Sequence, residues 1–353
     1  MHDLTSELCA DGSGDTGGAQ LQPRSGRGAR VCDKNFRHEG RSMDSLGACP
    51  ICESGAIGFF YAGRTGRRPA DKALWNVWRC EACGHGFMNP RPTWRELSSY
   101  YTQDYDAYDT NHCAIAGEDD EAVRLAERTG ELRHLPLPTG KRLLDVGCGA
   151  GWFLRIAKRL GAVVKGVEPN VYGARRAKDS GIDVYHGQLE DYAVGPGKKQ
   201  RFDLITANHV VEHVPDPSRI LHTMKSLLAP GGTVWISVPN PACFFGRKLL
   251  DQWYCVDLPY HLQQFSDRSM TLAGERAGLA PRRQYTSSLP ASVAASLRLY
   301  WRKRYFVPQK ITGRIRFIDR HYAPRFGTQL DAAGDGEALI TEFESQAANS
   351  SRT

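Results

Sequence analysis

An apolar run that breaks into three glycines at alternate positions leaves a chain few ways to fold. Residues 143–154 read Leu-Leu-Asp-Val-Gly-Cys-Gly-Ala-Gly-Trp-Phe-Leu. The apolar start predicts a buried strand, and the residues after Gly151 predict a helix. Between them Gly147, Gly149 and Gly151 predict a sharp turn, because glycine reaches positive φ without cost and has no Cβ to hold a ligand away. The spacing also excludes two ligand classes. The dinucleotide pattern G-x-G-x-x-G needs glycine at 152, where Trp152 stands. A P-loop needs Gly-Lys-Ser/Thr, which does not follow.

The surrounding sequence alternates in the way such a turn requires. Strands are predicted at 142–147, 163–168, 182–186, 202–208 and 232–239, and helices at 151–160, 170–179, 216–228 and 266–278. Alternation of this kind gives a parallel sheet with helices on both faces. This core spans 139–290. A further strand is expected near 282–288, then an amphipathic helix over 291–306 within a basic extension (291–327), then a polar tail (328–353). Ahead of the core, residues 1–46 are rich in Gly, Ser, Asp and Arg and predict disorder, with Met43 as an alternative start of translation. A small metal-stapled β unit occupies 47–92. A helical linker (93–138) opens on a Thr93/Glu96 capping box and carries a helix near 119–133. Composition, at 41% hydrophobic and 24% charged, excludes a collagen, a wholly disordered chain or a disulfide mini-protein. No run approaches the ~18 apolar residues of a membrane span, and the N-terminus has no signal-peptide core.

Asp145-x-Gly147-x-Gly149-x-Gly151 resembles motif I of the class I S-adenosylmethionine-dependent methyltransferases. The likeness continues in order over about 140–285. Glu168 lies 21 residues after Gly147, where a carboxylate can accept hydrogen bonds from both ribose hydroxyls. Gly187-Gln188-Leu189-Glu190 resembles the loop that frames the adenine, residues 202–217 the fourth strand and its loop, and 228–240 the Pro-Gly-Gly turn into the fifth strand. The resemblance implies a Rossmann-like, seven-stranded α/β methyltransferase sheet. It also implies S-adenosylmethionine held by Asp145, Gly147, Gly149, Gly151, Glu168, Gln188, Leu189 and Asn208.

Four of the ten cysteines form Cys49-Pro-Ile-Cys52 and Cys80-Glu-Ala-Cys83, 27 residues apart. Without an export signal, that spacing reads as a tetrahedral Zn²⁺ site in a reducing, cytoplasmic compartment. Four thiolates leave no open position, so the metal's expected role is structural. The arrangement resembles the N-terminal zinc ribbon of many bacterial family members, which act on small metabolites or surface-glycan precursors. With Trp75, Trp78, Arg64, Arg67 and Arg68 nearby, the ribbon could instead bind nucleic acid or a protein, or cover a substrate mouth.

His209-Val-Val-Glu212-His213 places three proton carriers or ligands on one face if the segment begins as a helical turn. Some similar O-methyltransferases hold a divalent cation with Glu-x-x-Glu-His and a later His; here His209 replaces the first Glu. Three roles stay open for His209, Glu212, His213 and the later His261: general base, cation ligand, or support of the loop. Residues 298–325 carry nine Arg or Lys against one Asp, a local +8 against +7 for the whole chain. With the stripe Val293, Leu297, Tyr300/Trp301, that segment suits an anionic substrate or an anionic membrane surface, or it is a solvated face of a helix packed on the core. The core itself has no basic bias, so nucleic acid is not expected. The resulting expectation is methyl transfer to a small-molecule acceptor, with O-methylation of a sugar or lipid-linked glycan precursor favoured. The competing readings are a zinc-ribbon RNA methyltransferase and a non-catalytic binding module.

Overall fold

In a computed structural model, which describes residues 41–64, 73–101, 135–136, 138–308 and 317–346, the two cysteine pairs head a small antiparallel sheet. In it β2 (Ile57–Gly63), β3 (Trp75–Cys80) and β4 (Gly86–Met88) lie side by side, while β1 (Met43–Asp44) and β5 (Arg91–Pro92) pair in a separate two-stranded sheet. A fourth strand, Gln263–Gln264, joins the first of these sheets from far along the chain by pairing with β4. Trp75, Val77, Phe87 and Met88 are buried. Residues 41–46 therefore belong to this unit, and the expected disordered segment does not extend to 46: Met43 pairs with Pro92, and Leu46 N donates to Asn89 Oδ1 at 2.9 Å. Residues 1–40 and the helix expected near 119–133 lie outside the described residues. Helix α1 (Trp94–Leu97) is a single turn continued by a 3₁₀ turn at Ser98–Tyr100. Thr93 stands at its N-cap without a side-chain capping bond, so the capping box does not form.

The seven-stranded sheet contains β6 (Arg142–Val146), β7 (Val163–Glu168), β8 (Val184–His186), β9 (Phe202–Asn208), β10 (Leu228–Pro239), β12 (Leu279–Ser287) and β13 (Ala338–Ser345), with Gln263–Gln264 numbered β11. The order is β12-β13-β10-β9-β6-β7-β8, and β13 runs antiparallel to both its neighbours. Leu143 and Leu144 show why helices cover both faces. Leu144 packs with Leu221 and Met224 of α5 (Pro217–Leu227), whereas Leu143 packs with Leu154 and Ala157 of α2 (Trp152–Arg159) and Ala174 of α3 (Val171–Asp179). Both strand faces bury apolar residues, as in a sheet covered on two sides. Short helices α4 (Leu189–Val194) and α6 (Phe244–Leu249) are additions to the expected set. Helix starts follow local chemistry: Asn170 Oδ1 accepts from Tyr172 N at 2.8 Å, Asp216 caps α5 ahead of Pro217, and Ser266 and Ser269 form a capping box on α7 (Asp267–Arg276). This is the expected Rossmann-like fold with a seven-stranded mixed sheet.

One expectation for the C-terminal third is overturned, and one open choice is narrowed. The polar tail is a helix, α9 (Ala323–Ala332), followed by the inner strand β13, so the sheet extends past residue 290 to 345. Glu337, Glu342 and Glu344 gave the segment its polar look, but Leu339, Ile340 and Phe343 are buried. The apolar stripe of α8 (Pro290–Tyr305) is also consumed by the fold. Val293, Leu297 and Tyr300 are buried, with Tyr300 5.8 Å from Phe244 and Phe326 6.1 Å from Phe245. Of the two readings of that stripe, packing on the core is the one seen. No described helix is long and apolar enough to cross a membrane.

Phe343 tests the correction. Its ring lies so close to Gly274 that a Cβ there would sit 2.2 Å from it. Phe343→Ala should lower unfolding free energy by about 3–5 kcal/mol, measured by urea denaturation. A residue in a solvated tail would lose no more than about 0.5 kcal/mol.

Candidate active site

The chain runs from β6 to β7 and β8 on one side, then returns to β9 and β10 on the other, so the strand order reverses at β6. In open α/β sheets, ligands bind in the crevice at the carboxyl ends of the strands beside such a reversal. Here that position holds a cavity of about 510 Å³, lined among others by Gly147, Gly149, Glu168, Leu189, His209 and His213 and flanked by Trp94 and Tyr101. Gly147 has φ 67°, and a Cβ on it would come within 2.6 Å of Val210 Cγ2. Any other residue would be strained there and would push on the loop that forms the opposite wall.

Glu168 ends β7 and is 3% exposed. Gly149 N donates to its Oε2 at 2.8 Å and Asn170 N to its Oε1 at 2.7 Å. Burial pushes its carboxyl up to about 7 despite these two bonds. A cleft-facing acceptor on a glycine cradle is what a ribose diol requires, so the residues present fit an adenosyl cofactor. Asp145 lies beneath the turn, accepts from Thr206 Oγ1 at 2.6 Å, and is likewise pushed up to about 7 by burial.

The histidine cluster forms the adjoining wall. His209 takes a left-handed conformation (φ 54°), which aims its side chain back along the 3₁₀ turn Val211–His213. Its Nδ1 lies 3.1 Å from Glu212 Oε1; a carboxylate only accepts, so Nδ1 carries the proton. Glu212 is 1% exposed, and its Oε2 is buried without a hydrogen-bond partner among the described residues. Burial would raise its carboxyl, but the His209 bond and the surrounding histidines hold it down to about 2. His213 Nδ1 is 3.0 Å from Tyr260 O and 3.1 Å from the Tyr101 hydroxyl. His261 Nδ1 is 2.8 Å from Cys255 O, and its Nε2 is 4.0 Å from Glu212 Oε1. Burial, then the neighbouring His261, lowers His213 to about 4, so it is neutral at physiological pH.

In the N-terminal cysteine cluster, Cys49 Sγ lies 3.6 Å from Cys83 Sγ and Cys52 Sγ 3.4 Å from Cys80 Sγ. Tetrahedral zinc with ~2.3 Å bonds needs sulfurs about 3.8 Å apart, so the four thiols fit the ion. The two knuckles repeat one turn: Glu53 N donates to Cys49 O and Gly84 N to Cys80 O, with positive φ at Glu53 and Gly84. Hydrogen bonding by Cys83 holds the Cys49 thiol down to about 4, and the same contact raises Cys83.

Of the residues expected to hold the cofactor, Gly147, Gly149, Glu168, Gln188 and Leu189 line the cavity. Asp145, Gly151 and Asn208 do not. Asp145 supports the turn from below, Gly151 (φ 80°) caps α2 against Ala177, and Asn208 pairs with Ser237 at the end of β9. His209, Glu212, His213 and His261 come together, although only His209 and His213 reach the cavity wall. Trp94, Ser98 and Tyr101 carry no cavity signal in the sequence because they sit on a one-turn helix and the 3₁₀ turn after it, which reach the site only through tertiary packing.

Residues 119–284 match the family model described as Methyltransferase domain. The chain is 38% identical over 122 residues to the ubiquinone biosynthesis O-methyltransferase of Salmonella arizonae, covering 33% of this chain and 47% of that protein. It is 34% identical over 105 residues to the protein of the same name from Pseudomonas entomophila, covering 29% and 45%. The chain thus spans about half the length of these curated relatives. Among solved structures it is similar to an S-adenosylmethionine-dependent methyltransferase from Mesorhizobium loti (21% identity, TM-score 0.40, 62% of this chain and 97% of that one). It is also similar to one from Archaeoglobus fulgidus (19%, 0.43, 68% and 99%). Residues 119–284 are thus similar to a methyltransferase domain.

The raised carboxyl of Glu168 has a consequence for stability. Between the ordinary glutamate value near 4.3 and about 7, the folded chain keeps a proton that the unfolded chain has lost, so stability falls as pH rises through that window. Glu168→Gln, neutral throughout, should remove a drop on the order of 3 kcal/mol. Urea midpoints of variant and wild type at pH 5 and pH 8 measure it. Equal pH dependence in the two proteins would contradict the assignment.

Proposed function

We propose that this protein transfers a methyl group from S-adenosylmethionine to a hydroxyl of a small-molecule acceptor. One observation carries the reading: His209, its ring held by the buried Glu212 behind it, stands on the wall of the same cavity that Gly149 and Glu168 line. Glu168 would accept from the ribose hydroxyls, Gly147 and Gly149 would let the backbone approach the amino-acid end, and Gln188 and Leu189 would frame the adenine. The cofactor, when bound, supplies an activated methyl on a good leaving group, so alignment of donor and acceptor is most of the catalysis. A hydroxyl acceptor also needs a base. His209 would supply it: Glu212 holds Nδ1–H, which leaves Nε2 as the basic nitrogen and favours the imidazolium that forms. His213 and His261 complete the cluster behind it. Within this class we favour a sugar or glycan-precursor hydroxyl, on the resemblance of the ribbon-plus-core arrangement, and a structural zinc at Cys49, Cys52, Cys80 and Cys83. The reading assumes the reducing cytoplasm, where the two C-x-x-C pairs would hold zinc rather than form disulfides.

A second reading of the cluster is favoured by the bonds to main-chain carbonyls. Tyr260 O and Cys255 O accept from the Nδ1 atoms of His213 and His261, so each ring presents Nε2 toward the cluster. Glu212, His213 and His261 offer ligand atoms within 4.8 Å of one another. Imidazoles oriented by carbonyls, plus one carboxylate, suit a divalent cation that would hold the acceptor oxygen.

Calorimetric titration with S-adenosylhomocysteine tests the cofactor assignment. Zinc-loaded wild type should bind in the micromolar range, and Glu168→Ala should weaken binding by at least about tenfold, as expected for losing hydrogen bonds to a charged group. No binding to wild type carrying about one zinc per chain would overturn it.

A further inference from the structure

The ribbon has a use beyond its own stability. Its strand β4 is hydrogen-bonded to β11, which follows His261 by two residues: Phe87 pairs with Gln263 and Gly86 with Gln264. Met88 N donates to Leu262 O at 2.9 Å, and Leu262 N in turn donates to Glu212 O at 2.8 Å. One sheet register thus runs from the cysteine unit through the His261 segment to the backbone of Glu212.

A side-chain relay repeats the connection. His85, two residues after Cys83, is fully buried. Its Nε2 lies 3.0 Å from Gln263 Oε1, an acceptor, so Nε2 carries the proton and Nδ1, 3.3 Å from Ser269 Oγ, accepts. Gln263, 2% exposed, then donates from Nε2 to Val214 O at 3.0 Å. Val214 directly follows His213, and Gln263 lies two residues after His261. One buried amide therefore clamps the two backbone segments that carry the cluster. The bond fixing the His213 ring, Nδ1 to Tyr260 O, spans the same two segments. Arg91 of β5 adds a third tie, donating to Pro215 O at 2.7 Å.

We infer that His85 and Gln263 are positioning residues, through which the ribbon sets the ring orientation and tautomer of His213 and the spacing of Glu212 from His261. The inference rests on the proposed methyl-transfer reading for its purpose, but its geometry does not depend on that reading. Gln263 is suited to the task because an amide accepts at one end and donates at the other. A carboxylate in its place would face the Val214 carbonyl with a second acceptor, and a methionine would make neither bond.

The test reads the histidines directly. In protein with ¹⁵N-labelled histidine at pH 7.5, long-range ¹H–¹⁵N spectra report which ring nitrogen carries the proton; His213→Gln and His261→Gln assign the signals. Wild type should show His213 as a single Nδ1–H tautomer. In Gln263→Met, and in Gln263→Glu, which keeps the side-chain volume, the His213 signals should shift toward a mixture of tautomers and broaden. Zinc content and S-adenosylhomocysteine affinity should stay within about twofold of wild type, since neither site includes Gln263. If either variant folds with zinc bound and its His213 and His261 signals coincide with those of wild type, the inference is wrong. Failure of the cofactor reading is seen separately, as loss of S-adenosylhomocysteine binding by the wild type itself.

Discussion

Two main-chain N–H groups converge on one buried carboxylate, and the rim of the sheet depends on that contact. Gly149 N belongs to the turn after β6 and Asn170 N to the turn after β7, and Glu168 accepts from both. The carboxylate thereby joins the ends of two adjacent parallel strands and sets the depth of the cleft between them. Its burial is unfavourable for the charged form, as the upward displacement to about 7 records. A binding site gains from this arrangement: an acceptor already desolvated and already oriented loses little more when a ligand's hydroxyls arrive.

The opposite wall follows another constraint. His209 sits at positive φ, a conformation that costs a non-glycine residue energy and persists only when its surroundings enforce it. The enforcement is visible in the Glu212 bond to its ring and in His209 N donating to Ser237 O at 2.9 Å. Glu212 is itself held from outside the core, through Leu262 and the ribbon strand β4. A unit that looks in sequence like a separate metal-stapled appendage is thus part of the scaffold behind the cluster, with its cysteines continuous with the core residues Phe265 and Met270.

How much could be read in advance depended on the range of the interaction. The glycine turn, the strand–helix alternation, Glu168 and the two cysteine pairs are local patterns with local physical causes, and each lies where expected. The histidine cluster was legible as a group because 209, 212 and 213 share one turn, and His261 was carried in by resemblance. Gly151 and Asp145 sit in the motif, but the turn directs them to helix capping and to Thr206, a distinction of side-chain direction that spacing does not encode. β13 escaped because acidic residues flank a short apolar core, and only its placement between β10 and β12 buries it. The α8 stripe was legible as a stripe but not as to its partner, which is supplied by α6 and α9. The role of His85 and Gln263 has no local sign: a relay over 178 residues of sequence separation exists only once the sheet has formed.

The central claim is that the cavity beside Glu168 and His209 brings a methyl donor to a small hydroxyl-bearing acceptor. Its most direct measurement is mass spectrometry of a metabolite extract incubated with the protein and S-adenosylmethionine carrying an isotope-labelled methyl group. The account predicts label on the oxygen of a small molecule, formed by wild type and lost with His209→Ala. Label confined to RNA, or no label from protein that binds S-adenosylhomocysteine, would contradict it.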